Sequence, residues 1–341
     1  MLMRTARAVW RRWAAAGAVV VTAGAVGPVG AVPAAAGTVV NCKDDPGALQ
    51  PAITSAAPGA TLRVKGRCTG PFTITKDLTL IGQKRAVLDG NQAGSTVTVT
   101  GAVRVRLDRL TITNSTVSDG GGIRNAGGTV TLKDSTVEGN TATDRGGGIF
   151  NDFGATLTLK DSTVERNAAA NRGGGIFNDF GATLTLKEST VERNTATNRG
   201  GGISNLGTVT LKDSTVKHNT ATTTGGGGIF NDIGGTLTLN GSEVERNTAR
   251  DFGGGGIRNF RGTVTLNGSE VERNTADFGG GIYTDIGPVT LKDSTVKHNT
   301  ATTNGGGIAV DLSTVTLDES TVRDNEPDNC FPPGSVPGCT G

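Results

Sequence analysis

Large aromatic residues, histidine and methionine are nearly absent from this chain. Only 4% of its 341 residues are aromatic, and tyrosine occurs once. Both tryptophans and both methionines fall within the first 13 residues. A core built on large rings is therefore excluded, and the interior must be aliphatic. Histidine occurs only at His218 and His298, in equivalent places of a repeated segment. Stacked three copies apart, they would stand about 14 Å from each other, too far to share a metal. A solvated turn suits them better, and neither a metal site nor a cofactor is expected.

Cysteine is scarce as well. Cys42 and Cys68 lie near the start, Cys330 and Cys339 near the end, and the stretch between holds none. In an exported chain this placement predicts Cys42–Cys68 and Cys330–Cys339 disulfides, each pinning one terminus. Residues 1–36 are expected to be a signal peptide. Arg4, Arg7, Arg11 and Arg12 precede an apolar stretch, and Ala34-Ala35-Ala36 offers a small-residue cleavage site. The apolar stretch is short for a membrane span. A secreted or cell-surface protein follows, with no stable membrane span once the signal is removed. Beyond residue 36 remain 29 basic and 31 acidic residues, a net charge of about −2. That near-neutrality gives no electrostatic case for nucleic-acid binding.

What the chain has in abundance is one repeat. Gly-Gly-Gly-Ile recurs eight times, with its isoleucine at 123, 149, 176, 203, 229, 257, 282 and 308, a period of 25 to 28 residues. In most copies Thr-Leu-Thr-Leu or Thr-Val-Thr-Leu follows, then Ser-Thr-Val, then asparagine. Within the copy at 173–194, Leu184 and Leu186 alternate with threonine and lysine, and Ser189 and Val191 continue after a turn. Ile176 and Asn178 make a third inward pair. This is the period of short half-buried strands, and no segment of the array carries a helical one. Three such strands cannot bury an apolar face alone, but stacked copies can.

The expected fold is all-β: a single-stranded parallel β-helix solenoid of about ten or eleven coils. Asparagines 114, 140, 167, 194, 219, 247, 274, 299 and 325 are expected to form one internal ladder. A second runs through Asn125, Asn151, Asn178, Asn205, Asn231 and Asn259, then lapses to Thr284 and Val310. Residues 37–119 read as irregular first coils with an N-terminal capping helix over 48–57. The regular array covers 120–325. Residues 326–341, rich in proline and glycine, read as a C-terminal cap.

Gly-Gly-Gly-Ile with Val164-Glu165-Arg166-Asn167 resembles the GGA[ILV] and FxxN repeats of polymorphic outer membrane proteins. Leu49, Leu78-Thr79-Leu80-Ile81-Gly82 and Leu88-Asp89-Gly90 resemble the opening coils of the right-handed, pectate-lyase-like β-helix superfamily. That resemblance implies the fold and leaves activity open among lyases, hydrolases, epimerases and adhesins. Valine stands here for the phenylalanine of the outer-membrane repeat, and no C-terminal membrane barrel is expected.

No catalytic residue is assigned. Residues 146–160 repeat identically at 173–187, and residues 209–223 at 289–303. One active site gains nothing from being copied. The unrepeated acids Asp89, Asp108 and Asp119 are accounted for as turn residues of the early coils. If Ile176 and Asn178 point inward, Phe177 and Asp179 point outward. Their equivalents are Phe150 and Asp152, Phe230 and Asp232, and Tyr283 and Asp285. Rings beside carboxylates on a rigid face could bind a ligand such as a sugar. The competing reading packs the rings under neighbouring loops and uses the aspartates to cap turns.

Thr-x-Thr recurs on seven of the eight copies, which resembles ice-binding faces but is also ordinary for exposed strands. Glutamate and arginine columns beside each other read as a solvated ion-pair face. The expected function is a non-enzymatic scaffold displaying a repetitive face for adhesion to a polysaccharide, a cell-envelope component or a protein. A carbohydrate-active lyase or hydrolase acting on acidic polysaccharide is the alternative, and ice binding a remote one.

Overall fold

The computed structural model describes residues 37–340. The expected signal segment, residues 1–36, lies outside them. The described chain winds into a parallel β-solenoid of about eleven coils, whose strands fall into sheets of 20, 11 and 8 strands. Every coil pairs with the next in parallel register: Ile149 opposite Ile176, Leu157 opposite Leu184, Val164 opposite Val191. A period fixed by composition becomes a register because shifting one residue would turn every leucine outward.

The coil differs from the three strands of the sequence reading. Thr183–Lys187 and Thr190–Glu192 are two strands of one bent sheet, Ile176–Asn178 belongs to the second, and Thr195–Ala196 forms a third that periodicity had not shown. Its small inward residue, Ala196, is fully buried. Ile176, Leu184, Leu186 and Val191 are likewise 0% exposed, each worth roughly 1.5–3 kcal/mol of transfer free energy.

The glycine triplet makes the tight corner between the third and second sheets. Gly173 sits at φ 64°, where a side chain is strained. At Gly174 a Cβ would come within 2.4 Å of the Thr195 carbonyl oxygen. The coils therefore approach by backbone alone.

Three polar ladders run inside. Asn140, Asn167, Asn194, Asn219, Asn247, Asn274, Asn299 and Asn325 each pass the side-chain amide to the next carbonyl oxygen at 3.0 Å. The ladder starts at Asn140 and not at Asn114. Thr141 pairs with Thr116, so Ser115 holds the inward place, and Asn114 sits half-buried at φ 61° donating to Asp89. The second ladder runs from Asn125 to Asn259 and ends with Asn259 donating to Thr284 Oγ1 at 3.3 Å. A serine ladder, from Ser135 to Ser320, takes the backbone N–H of each serine onto the next hydroxyl. Buried polar groups are tolerable because nearly all find a partner one coil away, the side-chain oxygen of Asn140 at the start of its ladder being an exception.

The α-helix Leu49–Ser55 buries Leu49 and Ile53 against the first coils. Both expected disulfides are formed, Cys42–Cys68 and Cys330–Cys339. Beyond the array, Cys330–Phe331 adds a last short strand beside Ile308–Asp311.

Candidate functional site

The outward residues of the second sheet behave differently from one another. Phe150, Phe177 and Phe230 do point away from the aliphatic core, but they are only 2%, 1% and 1% exposed. What covers them is the segment before each glycine corner, at the end of the third-sheet strand, which carries Arg145, Arg172 and Arg199 in successive register. Phe150 and Phe177 stack with ring centroids 5.3 Å apart, and the Arg145 guanidinium lies 4.8 Å above the first and 5.4 Å above the second. Arg199 lies 5.0 Å above Phe230. These faces are taken by cations, so the three rings are not open for stacking on a sugar. The expectation of an exposed ring column is corrected on this point.

Further along, the pairing is inverted. The strand now supplies the cation, Arg258, and the loop supplies a ring, Phe252, 4.2 Å beneath it. Phe230 and Tyr283 flank the same guanidinium at 5.3 and 5.4 Å. Arg258 is 7% exposed, donates to the Thr224 carbonyl, and leaves its Nε without a partner. Among the described residues no carboxylate pairs with it. Burial pulls its pKa down to about 10. Half-exposed Tyr283 has its hydroxyl pushed above the ordinary tyrosine range, first by burial and then by Asp285 and Asp311.

The aspartates of the column organise turns. Asp152, Asp179 and Asp232 accept the backbone N–H of Phe153, Phe180 and Ile233 at 2.8, 2.8 and 2.9 Å. Asp152 also pairs with Arg124 at 3.3 Å. Asp232, only 2% exposed, receives Arg199 at 2.9 Å and Arg172 at 3.5 Å. Those arginines reach it across Ser204, where the phenylalanine column is interrupted. Asp285 remains half-buried on its strand.

The early unrepeated acids are each engaged separately. Asp108 pairs with Arg106 at 2.8 Å and Asp119 with Arg145 at 3.0 Å. Burial opposes ionisation of Asp89, yet bonds from the Asn91 backbone, Asn114 and Arg67 hold its pKa below the ordinary value. His218 and His298 are exposed at φ 54° and 53°, in the turn position that arginine fills elsewhere.

The groups left open to solvent are ones the sequence reading passed over. Phe153, Phe180, Ile233, Ile286 and Leu312 are 73%, 49%, 46%, 42% and 82% exposed. Each follows its repeat isoleucine by four residues, at the tip of the turn between the second and first sheets. The signal was available as Asp-Phe-Gly, Asp-Ile-Gly and Asp-Leu-Ser. It is an apolar residue in a turn, where polar ones are usual. The ridge breaks at Leu206, where a turn two residues shorter folds the side chain onto Phe150 and Phe177, and again at Arg261, which holds the same turn position between Ile233 and Ile286. Among the described residues no three His, Cys, Asp or Glu side chains gather as metal ligands would.

A family model described as "Right handed beta helix region" matches residues 78–211 and 188–326. No curated protein matches the chain. Among solved structures it is similar to PfbA, a surface adhesin of Streptococcus pneumoniae, at 10% sequence identity. That likeness covers 83% of this chain and 93% of the other, with a TM-score of 0.42.

Proposed function

Because the chain belongs to the right handed beta helix region family, we propose that it is a secreted or surface-displayed, non-enzymatic scaffold. In this reading it attaches to a cell-envelope surface along the apolar ridge. One observation carries the reading: five large apolar side chains, 42% to 82% exposed, recur at the same turn, in a column interrupted only at the Leu206 and Arg261 coils. Single exposed apolar residues mean nothing, but an aligned set on a rigid support marks an interaction surface. Aspartates support it by fixing the turns at Phe153, Phe180 and Ile233, so that part of the ridge is presented with little ordering cost on binding. The arginine–phenylalanine stack beneath makes the support stiff.

The test is adsorption of the purified protein to cell-envelope preparations. A variant carrying serine at Phe153, Phe180, Ile233, Ile286 and Leu312 should lose at least about tenfold in affinity, since a few central anchors dominate most interfaces. These side chains lie outside the core, so its melting temperature should hold. Unchanged adsorption would remove the ridge from the account.

A further inference from the structure

The first coils contain a concave site. A cavity of about 510 Å³ is lined by Asn41, Lys43, Lys65, Gly66, Gln83 and Lys84. Asn41, Lys65 and Gln83 face one another in strand register. Two irregularities open the space: one strand pair shifts register between Lys65 and Arg67, the next between Ile81 and Ala86. Such bulges re-aim side chains and gather beside functional sites. Gly66 forms the floor at φ 82°, where a Cβ would meet Lys43 Cγ at 2.6 Å. Lys84 and Arg85 hold consecutive left-handed conformations, at φ 51° and 61°. Strain of that kind in non-glycine residues persists where the surroundings impose it. The Cys42–Cys68 disulfide ties the two walls together.

The electrostatics point the same way. Many cations of the array pair with acids, as Arg166 does with Glu165 at 3.1 Å and Arg246 with Glu245 at 2.9 Å, although the stacked column Lys160, Lys187 and Lys212 on an open strand face does not. Lys43, Lys65 and Lys84 are exposed and, among the described residues, take part in no ion pair. The acid beside Lys43, Asp44, accepts from Asn41 Nδ2 at 2.6 Å. Whole-chain neutrality hides a division. Residues 37–119 carry ten Lys and Arg against six Asp and Glu, whereas residues 120–341 carry nineteen against twenty-five.

We propose that this cavity binds the sulfate or phosphate groups of an anionic polysaccharide. Three ammonium groups act as point charges and need no planar partner, so tetrahedral oxyanions suit them. Asn41 and Gln83 supply amide donors between them. No aromatic side chain lines the cavity, which leaves nothing for bases to stack on and disfavours single-stranded nucleic acid. The site lies away from the apolar ridge and goes beyond the attachment reading. Its test uses a soluble polymer, so either idea can fail without the other.

The experiment is calorimetric titration of the purified protein with dextran sulfate, uncharged dextran and a single-stranded DNA of matched charge. Dextran sulfate should bind, more weakly as salt rises, and dextran should not. K43Q/K65Q/K84Q should weaken binding at least about tenfold, while K160Q/K187Q/K212Q, which removes the same charge from the array, should change it less than about twofold. Lys84→Glu alone gives a second reading at an exposed bulge. The proposal is overturned if dextran sulfate fails to bind, if both triple variants lose equally, or if the DNA binds more tightly.

Discussion

Asn167 gives both its backbone N–H and its side-chain amide to one atom, Asn194 Oδ1, at 2.9 and 3.0 Å. The second carboxamide hydrogen reaches the Val137 carbonyl at 2.9 Å. Each ladder asparagine is thus tied to the coils before and after it, and the pattern repeats at every coil from Asn140 to Asn299.

Replacing one rung should therefore cost more than one hydrogen bond. Asn194→Ala strands the Asn167 N–H and amide and the Val164 carbonyl, all buried. Unsatisfied buried groups cost about 1–3 kcal/mol each, so a loss of roughly 3 kcal/mol or more is expected from denaturant unfolding. Thr185→Ala, on the outer face of the same coil, should stay within about 0.5 kcal/mol.

The left-handed turn before each ladder offers the opposite effect. Glu188 and Arg193 sit at φ 49° and 53°, while glycine fills the equivalent places at 241, 268 and 139. Relief of left-handed strain, about 1–2 kcal/mol, exceeds the entropic cost of glycine, about 0.5–1 kcal/mol. Glu188→Gly should raise the melting temperature slightly, and a fall of several degrees would contradict this account of the turn.

Arg258 should show itself through pH. Its folded pKa of about 10 lies well below that of the free side chain. Below pH 10 the guanidinium is charged in both states, and its burial penalty is fully felt. Above pH 10 the folded form releases its proton before the unfolded one does, so stability rises with pH there. Arg258→Met keeps a chain against Phe252, Phe230 and Tyr283 and removes the charge. The variant should match or exceed the parent at pH 8, and that advantage should shrink by pH 11. An advantage that does not change with pH would locate the effect in packing alone.

The two disulfides should differ in weight. Cys42–Cys68 closes 26 residues and Cys330–Cys339 closes 9. Loop-closure entropy gives about 3.5 and about 2.5 kcal/mol respectively. Serine at Cys42 and Cys68 should thus lower stability more than serine at Cys330 and Cys339.

Much of the fold was legible because stacking copies one coil onto the next. Any column that repeats, such as Ile149 and Ile176 or Leu157 and Leu184, must pair in register. Both disulfides followed from where four cysteines lie. What stayed hidden concerns relations between columns within one coil. The segment that places Arg145 over Phe150 depends on the bend at the glycine corner, and no periodicity encodes that angle. The third sheet was missed because two residues, as in Thr195–Ala196, are too few to show an alternation. Asn114 was misplaced by one residue because early coils are irregular, and the column rule assumes that they are not. The cationic cavity escaped for a different reason: charge was balanced over the whole chain, whereas the fold separates its first coils from the rest.

The central claim is a scaffold that binds without cutting. Its most direct test is incubation of the protein with a panel of uronate and sulfated polysaccharides, followed by quantitation of new reducing and unsaturated ends. The account predicts none above the protein-free control, even where the polymer is retained. Reproducible release of new ends, abolished by a single substitution, would contradict it.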